Sequence, residues 1–354
     1  MDNLKELASQ PIFFDKNRVY RVYLGGASFE GFFGDAEAKD DFFPEEWIAS
    51  KVKAINPRYF GERDGVSKIA GTEVFFDDLL NAYPKELLGG KKYDCLVKIL
   101  DSAIRLPVQV HPTKAFSRKF FNSDYGKTEA WLVVATRENA KIYFGFKDKI
   151  TKDDLSELEQ RSENERDVMS SALASVPARI GDIWLINAGL VHAIGAGCTI
   201  LEVQEPTDFT IQPENWCGGY HISDDEKYIG LKKSDALDCF NFDLFGAAAV
   251  QSAAIAPKVL SEKDGVKSER LIGYDDTPCF ALNRYTLASG EFIPSAVPAV
   301  WVVLDGKAEI NGLQNSYSRP LKKGDYFFLP AAASRAYVIK GKNAVLAECL
   351  PSKQ

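Results

Sequence analysis

Gly181-Asp-Ile-Trp-Leu-Ile-Asn-Ala-Gly-Leu-Val-His192 recurs in outline as Gly324-Asp-Tyr-Phe-Phe-Leu-Pro-Ala-Ala-Ala-Ser-Arg335. Both stretches open on Gly-Asp, run through four apolar residues and turn through small residues at the same spacing. A short apolar run bounded by turn residues is a buried strand. An internal repeat of that kind predicts duplicated β-barrel lobes. The first copy ends on a histidine and the second on an arginine, so only the first keeps a metal-ligand side chain.

Working outward, further segments rich in Val, Ile and aromatics read as short strands. They are 108–111, 130–135, 142–146, 183–186, 199–204, 300–304 and 326–329. Gly, Asp and Asn turns separate them, the pattern of an all-β sandwich or barrel. Helical signals are interspersed. Pro44-Glu-Glu-Trp-Ile-Ala-Ser50 opens like a helix, with proline and acidic residues at its start. Residues 77–88 look amphipathic, 151–174 read as an exposed helical insertion, and 224–239 hold another helix. The small, polar, proline-interrupted stretch 248–268 reads as a linker between a lobe at 1–247 and a second at 269–354.

Composition narrows the function. A chain of 354 residues suggests two or three domains and buries a full core without a disulfide or metal staple. The net charge of −7 argues against a nucleic-acid partner, which needs a basic stripe, but permits a small anionic substrate. No apolar run is long enough to span a membrane. The start shows no basic segment followed by an apolar one, so no signal peptide is expected. Six scattered cysteines without a CxxC pair read as reduced thiols of a cytoplasmic protein.

There are only three histidines. In Val108-Gln-Val-His111 the strand period of two puts Gln109 and His111 on one face. Glu129 begins the next strand, and His192 follows the turn at Gly189. Two imidazoles, a carboxylate and an amide oxygen form an N/O set that suits Zn²⁺ and leaves Mn²⁺, Fe²⁺ and Co²⁺ open. His221 follows Cys217-Gly-Gly-Tyr without such companions and reads as structural or peripheral.

The G-x5-N-x-G-x2-H pattern of 181–192 resembles the second cupin motif, with Asn187 where proline is usual. The wider set resembles the class I mannose-6-phosphate isomerases of the shorter bacterial type. It runs through Gly25-Gly26, Glu45-Glu-Trp47 with Ser50, and Leu96-Val-Lys-Ile-Leu-Asp101. It continues through Gln109-Val-His-Pro112, Gly126-Lys-Thr-Glu-Ala-Trp131, Gly189-Leu-Val-His-Ala-Ile194, and Leu201-Glu-Val-Gln204 with Asp208. The resemblance covers about residues 18–216; the second lobe fits only in outline. It implies a mainly β chain of two cupin-like jelly-roll lobes, with helical segments packed around the first. It also implies one Zn²⁺ per chain held by Gln109, His111, Glu129 and His192. Lys127 matches an active-site lysine, and Glu202 and Asp208 match acidic residues lining a sugar site. The implied reaction interconverts mannose 6-phosphate and fructose 6-phosphate.

That reaction moves a proton between C2 and C1 through an enediol. It needs a Lewis acid and a base with its pKa shifted towards neutrality. Glu202 and Lys127 both qualify as the base. Two positions depart from the resemblance. Gln212 stands where an arginine is usual, and Pro107 where a serine is usual on the phosphate side. Arg105, Arg118 and Arg179 are the candidate compensating cations. These departures leave room for a different sugar or sugar phosphate, or for a non-catalytic sugar-binding cupin.

Overall fold

The computed structural model describes residues 2–58 and 60–353. Every strand pairing is antiparallel. The first lobe contains β1 (Arg18–Val19), β2 (Glu45–Ile48), β3 (Leu96–Asp101), β4 (Glu129–Thr136), β5 (Lys141–Phe146), β6 (Leu173–Pro177), β7 (Ile183–Ile186), β8 (His192–Ile194) and β9 (Cys198–Gln204). Six of these form a sheet in the order β1-β2-β3-β9-β4-β7, and β6-β5-β8 form a smaller sheet. A short hairpin, β10 (Trp216–Cys217) and β11 (Tyr220–His221), follows.

The second lobe is one seven-stranded sheet. It comprises β12 (Lys258–Lys263), β13 (Val266–Ile272), β14 (Ala281–Phe292), β15 (Ala299–Gly312), β16 (Ser318–Lys322), β17 (Tyr326–Leu329) and β18 (Tyr337–Leu350). The path is β12-β13-β14-β18-β15-β16, with β17 also on β15. The architecture is mainly β, as the repeat and the cupin resemblance imply.

The period of two sorts the six-stranded sheet into two kinds of surface. On one face Ile48, Val97, Ile99, Ala130, Leu132 and Val203 join a core shared with Leu282, Val300, Phe328 and Cys349 of the second sheet. Burying this shared face welds the two sheets together. On the other face Leu100, Trp131 and Ile200 pack with Ile142, Phe144 and Ile194 of the small sheet. Alternate positions on this inner face carry charge. Trp47 is opposite Lys98, Lys98 opposite Glu202, and Glu202 opposite Trp131 in successive strands. A row of side chains thus crosses four strands, with a lysine and a glutamate at its centre.

The helical expectations fare unevenly. The segment opening at Pro44 is strand β2, not a helix. Its four residues are all buried, and Glu46 ion-pairs with Arg18 at 3.2 Å while Glu45 ion-pairs with Arg21 at 3.1 Å. Carboxylates that look like an acidic first turn are here compensated by arginines distant in sequence. Residues 77–88 fall into two helices, Phe76–Ala82 and Pro84–Leu88, broken at the proline. In 151–174 a helix at Lys152–Arg161, with a Thr151–Asp154 capping box, gives way to a single turn at Val168–Ser171 and then to β6. The stretch 224–239 is three short turns, Asp224–Tyr228, Lys233–Ala236 and Leu237–Cys239. The stretch read as a linker carries the end of helix Gly246–Ala253 and strand β12. That helix packs so closely on β5 that a Cβ on Gly145 would lie 2.2 Å from Ala249 Cβ. All six cysteines are buried free thiols. Among the described residues no helix is long and apolar enough to cross a membrane.

Candidate active site

Gln109 and His192 exchange two backbone hydrogen bonds of 2.9 Å each, which brings the QVHP segment beside the start of β8. The chain reaches β8 through Gly189, whose φ of +92° suits glycine, and Gly189 N–H donates to the His111 carbonyl at 2.9 Å. Glu129 begins β4, where it pairs with Gln204 and Ile186. One ligand atom from each of His111, Glu129 and His192 lies within 4.8 Å of the others, and all three residues are buried.

The tautomers are set by backbone carbonyls, which can only accept. His111 Nδ1–H donates to Phe209 O at 3.0 Å, and His192 Nδ1–H donates to Leu190 O at 2.9 Å. Both Nε2 lone pairs therefore turn towards Glu129, at 3.1 Å from His111 and 3.4 Å from His192. Burial pushes the His111 imidazole down to about 3, so it stays neutral. Against burial, the Lys127 ammonium 3.5 Å away helps to hold the Glu129 carboxyl well below the ordinary carboxylate range.

His192 Nε2 and Glu129 Oε2 are buried and lack hydrogen-bond partners. A buried polar atom left unsatisfied costs about 1–3 kcal/mol, so two converging ones need an explanation. A divalent cation supplies one: neutral imidazoles and a carboxylate are its ordinary donors. Gln109, 8% exposed, lines the cavity in front of the cluster. His221 sits elsewhere, half exposed beside Glu163 and Trp216.

Glu129 and Gln109 line a cavity of about 530 Å³, together with Lys98, Lys127, Glu202, Asp208 and Gln212, and the two imidazoles reach it through Glu129. Lys127 donates to His111 Nε2 at 3.2 Å and to Thr210 Oγ1 at 3.3 Å. Its turn is pinned by Glu205, whose carboxylate accepts from Gly126 N–H at 3.3 Å and Thr128 N–H at 3.0 Å. Glu202 is buried, and its Oε1 lies 3.3 Å from Lys98 Nζ. Burial, reinforced by the Glu129 charge, pushes its carboxyl up to about 8. Although burial alone would lower it, Glu202 and Glu45 hold the Lys98 ammonium above its ordinary value. Asp208 lines the cavity but is occupied: one oxygen accepts from Ile55 N–H at 2.7 Å and the other from Arg21 at 3.2 Å. It anchors the loop that closes one side of the cavity. Gln212 lines the cavity and donates to Glu226 O at 3.5 Å.

None of the three arginines weighed as compensating cations lines the cavity. Arg105 forms a two-pronged pair with Glu214, Arg118 pairs with Asp124 on the surface, and Arg179 is exposed. Arg21 and Lys98, which are not among the expected site residues, also line the cavity. Lys98 left a signal, because a lysine centred in the apolar strand LVKILD needs a buried partner. Arg21 left none.

No family model matches the chain. It is 26% identical over 247 residues to the mannose-6-phosphate isomerase ManA of Bacillus subtilis, covering 69% of this chain and 71% of that one. It is 28% identical over 257 residues to the mannose-6-phosphate isomerase of Streptococcus mutans, covering 72% and 74%. The chain is a relative of the mannose-6-phosphate isomerases. The crystal structure of the Bacillus subtilis mannose 6-phosphate isomerase superposes with a TM-score of 0.73 at 21% identity, covering 96% of this chain and 99% of that one. A mutant phosphomannose isomerase from Salmonella typhimurium superposes with a TM-score of 0.70 at 16% identity, covering 97% and 100%. These likenesses extend the common fold over nearly the whole chain, beyond the stretch where the sequence resemblance is specific.

Proposed function

We propose that this chain is a metal-dependent aldose–ketose isomerase that interconverts mannose 6-phosphate and fructose 6-phosphate. The observation that carries this reading is the convergence of unpartnered His192 and Glu129 lone pairs with His111, beside a cavity that Glu129 lines together with Lys127 and Glu202. The names of the relatives agree with it.

His111, Glu129, His192 and the Gln109 amide oxygen would hold the ion, with zinc the best match to the donor set. When bound, the ion supplies Lewis-acid stabilisation of charge developing on the substrate oxygens. Glu202 is the group we assign as base. It is buried, its carboxyl is pushed up to about 8, and it faces the cavity from β9, where a rigid strand fixes its direction. It takes the C2 proton of the aldose and returns it to C1. Lys98, held between Glu45 and Glu202, keeps the ionised form of Glu202 within reach at physiological pH. Lys127, fixed by its pinned turn, is placed to donate to a substrate oxygen and to move the hydroxyl proton. Asp208 and Arg21 shape the sugar pocket by holding the 55–58 loop in place.

The buried free thiols suit a reducing cytoplasm. The two lobes are proposed to divide between helix Gly246–Ala253 and strand β12, the catalytic groups all lying before it. The test is conversion of mannose 6-phosphate to fructose 6-phosphate by zinc-loaded protein against a chelated control. Turnover that chelation abolishes and zinc restores is expected. Its absence in protein that holds stoichiometric metal would refute the reading.

A further inference from the structure

The two ends of a hexose 6-phosphate make different demands on the cavity. The reacting carbons belong beside Glu129, Lys127 and Glu202, which are all buried. The exposed residues of the lining are Ile55, Pro57, Asp225 and Gly230, so the cavity opens between the 55–57 loop and the 225–230 segment. The phosphate, at the far end of the sugar, points towards that mouth. A dianion there needs a cation. Arg21, Lys98 and Lys127 also line the cavity, but each already faces a carboxylate. Arg21 lies 3.1 Å from Glu45 and 3.2 Å from Asp208, Lys98 3.3 Å from Glu202, and Lys127 3.5 Å from Glu129. Gln212 and Pro107 supply no charge.

Arg58 directly follows the lining pair Asn56-Pro57. It is exposed, and it makes no hydrogen bond or ion pair among the described residues. Its guanidinium carbon lies 5.2 Å from the centre of the Tyr20 ring. A ring contact steadies the cation without using up an N–H donor. Its charge is felt at the Tyr220 hydroxyl, which donates at 2.7 Å to Glu226 of the cavity lining. The Glu226 carboxylate is taken up by that bond and by the Ser223 N–H and hydroxyl. The loop before Arg58 is fixed in place. Ile55 N–H donates to Asp208 at 2.7 Å, and Asn56 accepts from Arg21 at 2.9 Å and donates to Asp64 at 2.7 Å. We infer that Arg58 is the specificity-determining residue that binds the 6-phosphate at the mouth of the cavity. An arginine bonds a phosphate through two charge-assisted N–H donors, which supplies the charge that Gln212 lacks. This rests on the isomerase reading above.

The experiment measures KM and kcat for mannose 6-phosphate with the zinc-loaded full chain and three variants. Losing a contact to a group remote from the reacting carbons raises KM and spares kcat. Arg58→Gln is expected to raise KM at least about fivefold and to leave kcat within about threefold. Arg58→Lys keeps the charge without the fork, so its KM should fall between those of the parent and Arg58→Gln. Lys53→Gln removes another exposed charge from the same segment and should leave KM within about twofold. A smaller rise for Arg58→Gln, or an equal rise for Lys53→Gln, overturns the inference and leaves the proposed function intact. A parent protein that holds stoichiometric zinc and converts no mannose 6-phosphate refutes the proposed function and the inference with it. Salt gives an independent readout. Between about 0.05 and 0.5 M NaCl, KM of the parent should rise more than about twofold, and that of Arg58→Gln less than the parent's. A parent KM that stays level overturns the inference.

Discussion

Glu348 should make the protein less stable as pH rises through neutrality. It lies in β18, opposite Asn283 of β14 and Trp301 of β15, and is 1% exposed. Its Oε2 accepts from Asn283 Nδ2 at 2.8 Å and from Tyr285 OH at 3.4 Å, and it makes no ion pair among the described residues. Burial pushes its carboxyl up to about 7, with Asn283 and Tyr285 only partly opposing, from an ordinary value of 4.5. Below pH 4.5 the group is protonated in both folded and unfolded chains and contributes no penalty. Between 4.5 and about 7 the unfolded chain releases the proton and the folded chain does not, so stability falls. The full loss is about 3 kcal/mol, reached above pH 7. Glu348→Gln keeps the shape and the bond from Asn283 and removes the titration. Its amide can also donate to Asn283 Oδ1, a buried atom now without a partner. The difference in unfolding free energy between variant and parent, from urea titrations at pH 5, 6, 7 and 8, should be small at pH 5 and favour the variant by about 3 kcal/mol at pH 8. A difference that is the same at pH 5 and pH 8, or a variant less stable than the parent at pH 8, would refute the reasoning.

His192→Ala removes one imidazole from the cluster. Zinc binding should weaken by at least about 100-fold, measured by metal content after dialysis, and full stoichiometry in the variant would reject the ligand assignment. Glu202→Gln should keep its metal and lose about 10²–10⁴-fold in kcat, the range for a positioned acid–base group. An unchanged kcat would move the base to Lys127. Gln212→Arg places a charge on the cavity lining and should lower KM for mannose 6-phosphate by about tenfold, as a new charge pair of about 1.4 kcal/mol would. An unchanged KM would mean that position 212 does not reach the phosphate.

What the sequence makes legible here depends on how local the controlling contacts are. The strands stand out because each carries its own alternation of buried side chains. The metal cluster stands out because each ligand is embedded in a short segment with its own turn, such as Gly189-Leu-Val-His192. Pro44-Glu-Glu-Trp47 fails for the opposite reason. Its residues are common to a helix start and a buried strand, and what selects the strand is Arg18, Arg21 and Tyr326, the last 280 residues away from Glu46. The same blindness affects cations. Arg105 looks available until Glu214 folds onto it from 109 residues away, while Arg21, inconspicuous in sequence, becomes the hub of Glu45, Asn56 and Asp208.

The repeated Gly-Asp turn shows how far duplication carries and where chemistry begins. Gly181 and Gly324 adopt φ of +93° and +88°. Gly181 N–H donates to Val133 O, and Gly324 N–H to Val303 O, each at 2.9 Å. Asp182 accepts from Arg179 N–H, and Asp325 from Lys322 N–H, each at 2.8 Å. The strands that follow, β7 and β17, then pair with β4 and β15, the strands holding those two valines. So the turn, its cap and its strand partner are the same device used twice, and that device builds a barrel wall. The copies separate only after the strand. In the first, Gly189 swings the chain back so that His192 pairs with Gln109 and points its free nitrogen at Glu129. In the second, a 3-10 turn at Ala331–Ala333 leads to an exposed Arg335, and Trp301, Phe327, Leu329 and Ala333 fill the space inside. The wall is common to both lobes, and the six residues after it decide whether the barrel encloses a ligand set or an apolar core.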